Sequence, residues 1–113
     1  MSARLPAALE VAALIRQVQT AGGFAAVLAK GEPDSGAILL VLAGPGRAPA
    51  ACERMPRPDG ERIWRITRNQ DPENAQDFVN YLERRRAQDG DLWIVELDIA
   101  AAERFVGLPV SQN

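Results

Sequence analysis

The chain has 113 residues, 47% apolar and 25% charged, which is ordinary globular composition for one domain able to bury a core without staples. Twelve arginines and one lysine against fifteen acids leave a formal net charge of −2, so no global positive field draws the protein to nucleic acid. The absence of histidine excludes histidine-based acid–base catalysis, the usual triads and most zinc chemistry, and the single Cys52 excludes an intramolecular disulfide or a cysteine zinc site.

Residues 6–21 are expected to form a helix. Pro6 suits a first helical position, Val11, Leu14, Ile15 and Val18 recur on one face, and Gly22-Gly23 stops the run. "FAAVLAK", 24–30, reads as a strand. So does "GAILLVLA", 36–43, which is apolar on both alternations and is therefore expected at the centre of a sheet, covered on both faces. "GPG" at 44–46 then turns the chain into "RAPAACERM", where Pro49 points to a strand start or a sheet edge.

"PRPDGE" carries the strongest turn signal. Pro58-Asp59-Gly60 fits a three-residue hairpin loop, with proline opening a type I turn and glycine in the left-handed position. That loop sets Arg57 opposite Glu61, Met55 opposite Ile63, Glu53 opposite Arg65 and Cys52 opposite Ile66. A two-residue loop would set Arg54 against Arg65 and Arg57 against Arg62, like charges that repel. The strand at 61–68 is expected to turn Trp64 and Ile66 inward. A second helix follows, with Asp71 as its cap, Pro72 in first position, and Ala75, Phe78, Val79 and Leu82 as its stripe. "DLWIVELD", 91–98, is the last strand, and the tail holds one helical turn anchored by Phe105. The order α-β-β-β-β-α-β predicts an α+β domain over 1–113, with two helices on a mainly antiparallel sheet and residues 106–113 loosely ordered.

Three phrases carry a family resemblance: "ALIRQVQTAGGFAAVLAKGEPDSGAILLVL", "ERMPRPDGERIW" and "YLERRRAQDGDLWIVELDIAAAERF". The chain resembles, from about Arg4 to Phe105, an alphaproteobacterial family known as domain of unknown function 1491. The markers are the K-G-[ED]-x-[DE]-[SA]-G loop and the D-L-W-[IV]-V-E-L-D strand. Gly90 departs from the proline more common among relatives. The resemblance implies no activity, ligand or catalytic residue.

Each chemical reading of the remaining motifs competes with a structural one. In "KGEPDSG", 30–36, glycine-flanked amides and Lys30 could cradle an anion, but Glu32 and Asp34 would repel it, and the lysine precedes the glycines instead of following them as in a P-loop. A Pro-Asp metal nuclease needs a downstream lysine, and none follows Lys30. Turn chemistry accounts for every residue, so the loop is read as a hairpin turn. Asp89, Asp91, Glu96 and Asp98 lie at opposite ends of a strand, about 20 Å apart at ~3.3 Å per residue, too far to share an ion. Arg84, Arg85 and Arg86 complement the end of the second helix, or with Lys30 form an anion-binding patch diluted by nearby acids. Trp64 and Trp93 sit in strand patterns as core or as a subunit interface, and Cys52 reads as core filler.

No acid–base pair, metal set or cofactor fingerprint emerges, so no catalytic residue, metal or cofactor is expected. The segment "MSARLPAALE" lacks the basic start and apolar run of a signal peptide, and no apolar stretch is long enough to cross a membrane. The expected protein is a small cytoplasmic interaction module working through a protein partner or as a homo-oligomer. Binding of an anion, nucleotide or nucleic acid through Lys30 and Arg84–Arg86 is the second reading. A histidine-free enzyme using carboxylates and arginine is the third.

Overall fold

Helix α1 (Ala7–Thr20) buries Ala7, Val11, Leu14 and Val18, the face that its spacing dictates. Proline offers no side-chain cap, so the first amides find partners elsewhere: Ala7 and Ala8 donate to the carbonyls of Asp34 (2.9 Å) and Pro33 (2.8 Å). Gly22, at φ 91°, ends the helix, and the Gly23 amide returns to the Val18 carbonyl at 2.9 Å. The computed structural model describes residues 5–56, 58–60 and 62–109. Beyond α1 it contains β1 (Phe24–Ala29), β2 (Ile38–Ala43), β3 (Ala50–Pro56), β4 (Arg62–Asn69), α2 (Ala75–Gln88), β5 (Trp93–Asp98) and a 3-10 turn, Ala102–Val106. The expected element order is observed, and no helix among the described residues is long and apolar enough to cross a membrane.

The five strands form one mixed sheet in the order β1-β5-β2-β3-β4, with β2 and β5 parallel and the other pairs antiparallel. On one face, α1 and the 3-10 turn cover Ile38, Leu40, Leu42, Cys52, Val95 and Leu97. On the other, α2 covers Leu39, Val41, Ala51 and Ile94. Strand β2 is buried on both faces, as its unbroken apolar run requires. The β3–β4 register is the expected one: Glu53 opposite Arg65, Met55 opposite Ile63 and Cys52 opposite Ile66, with Gly60 at φ 89° in the turn. The Arg57–Glu61 pair lies outside the described residues.

Four expectations need correction. The segment after β1 does not close a hairpin, because β5 lies between β1 and β2. Strand β5 buries Trp93, Ile94, Val95 and Leu97, and each large apolar side chain removed from water stabilises the fold by about 1.5–3 kcal/mol. A direct β1–β2 pair would push this strand outward and forfeit several such terms. Helix α2 starts at Ala75, not at Pro72: Asn74 is its cap and accepts from the Asp77 amide, while Asp71 closes a preceding turn through the Glu73 amide at 2.9 Å. The inward stripe of α2 is Phe78, Tyr81, Leu82 and Arg85, whereas Val79 is 42% exposed and Ala75 faces solvent. Finally, Ile66 lies on the edge strand β4 and is 38% exposed, although Trp64 packs against the core as expected.

Candidate functional site

The KGEPDSG segment is a structural joint. The Glu32 carboxylate accepts from the Asp34 amide (3.0 Å), the Ser35 amide (2.6 Å) and the Ser35 hydroxyl (3.0 Å). These bonds, the Ser35 amide foremost, hold its carboxyl below the ordinary carboxylate value. The Glu32 amide donates to the Asp91 carbonyl at 3.0 Å, and the Trp93 indole N–H donates to the Glu32 carbonyl at 2.8 Å. The loop thus supplies carbonyls to α1 on one side and fastens the start of β5 on the other. Lys30 stands exposed before it. Trp93 is only 5% exposed and packs in the core.

The arginines at the end of α2 part company. Arg84 and Arg86 are exposed, but Arg85 turns inward to Glu53, with Nε at 3.0 Å and Nη2 at 2.8 Å from Oε1. The other oxygen of Glu53 accepts from the Tyr81 hydroxyl (2.6 Å) and the Thr67 hydroxyl (2.7 Å). Burial pushes the Glu53 carboxyl upward, yet the bonds from Tyr81, Thr67 and Arg85 outweigh it and leave the group below its ordinary value. Burial and the bond to Glu53 raise Tyr81. Both oxygens of Glu53 are engaged by side chains from β4 and α2, so the cluster bolts α2 to the sheet. Strand alternation could have revealed it: with Cys52 on the α1 face, Glu53 must face α2, where Tyr81 and Arg85 share the 3–4 spacing of one helical stripe.

The other residues singled out by sequence are placed as follows. Cys52 is fully buried, and burial, followed by the charges of Glu53 and Glu103, pushes its thiol up to about 12. Asp89 accepts from the Asp91 amide at 3.0 Å, while Glu96 and Asp98 sit at the far end of β5. Among the described residues, no group of three His, Cys, Asp or Glu side chains converges. Arg54 forms a two-pronged pair with Glu10 (2.6 and 2.9 Å) and lies 4.8 Å over the Trp64 ring, tying β3 to α1. Arg68 pairs with Asp77 at 3.2 Å.

Two features remain without an evident structural purpose. The first is β1, an edge strand whose Phe24, Val27 and Leu28 are 76%, 44% and 50% exposed. Its run "FAAVLA" contains neither charge nor proline, two of the devices that ordinarily protect a free edge, and its one irregularity is a register shift between Val27 and Ala29 in the pairing with β5. The opposite edge, β4, carries Arg62, Arg65 and Arg68. The second is a cleft of about 650 Å³ between the 45–48 loop, the end of β4 and the 3-10 turn. In its wall, the Arg47 guanidinium lies 2.7 Å from Glu103, a carboxylate whose residue is only 4% exposed. Neither is legible in the sequence alone. The edge needed strand order, and Arg47 and Glu103 are 56 positions apart (103 − 47).

The family described as "Protein of unknown function (DUF1491)" matches residues 5–107. The chain is 31% identical to a DUF1491 family protein from Caulobacter crescentus CB15 whose crystal structure superposes with a TM-score of 0.79, covering 96% of this chain and 100% of that one. It is 29% identical to a protein from A. tumefaciens known in solution, with a TM-score of 0.76 and coverage of 98% and 99%. No curated protein matches.

Proposed function

The chain belongs to the DUF1491 family, a family of unknown function, and from that premise we propose that it is a non-enzymatic interaction module that works by strand addition at β1, with a second copy of itself as the occupant. The observation that carries the reading is the bare apolar edge of β1 in a sheet whose other edge is lined with arginine.

Charge complementarity favours a second copy. An antiparallel pair of β1 strands centred on Val27 sets Phe24 of one copy opposite Lys30 of the other. Phe24 is itself paired with Asp98 on β5, so each end of the joint brings a lysine to an aromatic ring and a carboxylate. The six uncharged residues of β1 introduce no like-charge repulsion. Pairing satisfies the outward amides and carbonyls of both strands and covers Val27 and Leu28.

Sedimentation velocity is the test. The wild type should sediment at twice the 12.2 kDa of one chain. Val27→Lys, which sets two ammonium groups face to face across the two-fold axis, should sediment as a single chain with its circular dichroism unchanged. A wild type that stays monomeric at every concentration, or a dimer indifferent to Val27→Lys, would remove β1 as the joint. A monomer that gains mass only with another protein would replace the second copy by a foreign strand.

A further inference from the structure

We infer that the cleft around Arg47 is a binding site for a small organic carboxylate with an apolar body. Three independent observations meet there.

The backbone around the cleft is held in unusual conformations. Gly46 has φ 76°, and Ala101, the only described residue other than glycine with a positive φ, has φ 54°. An alanine in the left-handed region persists only where its surroundings over-determine it, and such residues cluster at ligand sites. Gly44, at φ 152°, lets the loop approach so closely that a Cβ would meet the Ile99 carbonyl at 2.5 Å. Together these residues press the 45–48 loop and the segment after β5 against each other and shape the cleft between them.

The second observation is the ion pair. A carboxylate as buried as Glu103 is an expensive way to stabilise a fold, since an apolar pair of the same volume commonly serves as well or better. What the pair does provide is an arginine held in one position. The Arg47 Nε donates to the Ala48 carbonyl at 3.3 Å, and Nη1 lies against Glu103. A guanidinium has five N–H donors in a planar fork, so donors remain for a carboxylate in the cleft that Arg47 lines. Because Glu103 also lines the cleft and already balances the arginine, a carboxylate would be held by these remaining donors and not by net charge, and a phosphate dianion is disfavoured.

The third is the remainder of the lining. Pro45, Pro72 and Pro109 form apolar walls, Ile66 offers an exposed aliphatic surface, and the carboxamides of Asn69 and Gln70 supply further hydrogen-bonding groups. A volume of about 650 Å³ falls within the ~300–1,000 Å³ of small-molecule sites, which combine apolar walls with a few polar groups. The exposure of Ile66 on this edge strand thereby acquires a role.

Benzoate is a suitable probe, followed by amide chemical shifts of the whole protein. Saturable shifts should appear at Gly46, Arg47, Asn69 and Gln70, with benzamide and inorganic phosphate binding at least about tenfold more weakly. Ile66→Trp fills the cleft from an exposed position and should abolish the response. The double variant Arg47→Gln/Glu103→Gln, which removes both charges together, should do the same. The assignment is overturned if benzoate leaves those amides unmoved, if benzamide or phosphate binds equally well, or if Ile66→Trp binds benzoate like the wild type. Should the double variant fail to fold, Ile66→Trp and the comparison of probes still decide the matter.

Discussion

Replacing Glu53 with alanine is expected to lower the unfolding free energy by about 3 kcal/mol, near the lower end for breaking a buried ion pair, because Arg85 keeps a quarter of its side chain in water and can partly rehydrate. The change leaves Arg85 without its carboxylate and removes the shared acceptor of Tyr81 and Thr67. By contrast, Glu10→Ala, which frees Arg54 at a site more than a fifth exposed on both partners, should cost about 1 kcal/mol or less. Urea denaturation of the two variants tests the difference. A pH series tests the cause. The Glu53 carboxyl lies below its ordinary 4.5 in the folded protein. Its contribution is therefore complete above that value and is lost as pH falls through the lower folded value. The wild type should lose stability more steeply below pH 4.5 than Glu53→Gln, and parallel curves would show that the network is not what titrates.

Gly31→Ala should be the most damaging single methyl group in the protein, costing about 3 kcal/mol, at the upper end for overpacking. A Cβ at Gly31 would meet the Asp91 carbonyl, the Trp93 Cδ1 at 2.6 Å and the Trp93 amide at 2.7 Å, and two of these three are backbone atoms unable to swing aside. Gly36→Val should be similarly costly. The reason differs from the one its turn position suggests: Gly36 has no positive φ, but its Cβ would lie 2.5 Å from the same Asp91 carbonyl and 2.7 Å from that of Glu32. Lys30→Met, in the exposed neighbour, should change stability by at most about 1 kcal/mol. Denaturation followed by tryptophan fluorescence measures all three. If Gly31→Ala unfolds with the wild-type midpoint, the loop does not grip the start of β5 as described. If Lys30→Met proves the worst of the three, the lysine has a structural partner that its exposure conceals.

The two glycines mark where reading the sequence succeeded and where it stopped. Pro58-Asp59-Gly60 and the charges beside it determined a hairpin and its register, because the turn chemistry fits a three-residue loop and the cross-strand charges select the same alignment. The buried face of α1 and the double burial of β2 were equally legible, since 3.6- and 2-residue periodicity is written within a dozen neighbouring positions. The KGEPDSG loop uses the same turn residues, yet it spans β5 instead of closing a hairpin. Nothing within residues 24–43 could reveal that, because the deciding quantity is the burial available to a strand more than fifty positions away. The same holds for Glu53, whose partners Tyr81 and Arg85 come from an element that reaches the sheet only after the chain has turned twice more. Whether β1 would be flanked or free, and whether Arg47 would meet Glu103, followed from that strand order. Local chemistry determined the elements of this protein and the turn that sets one register; competition for the interior, which acts between distant residues, decided which strand was left at the edge.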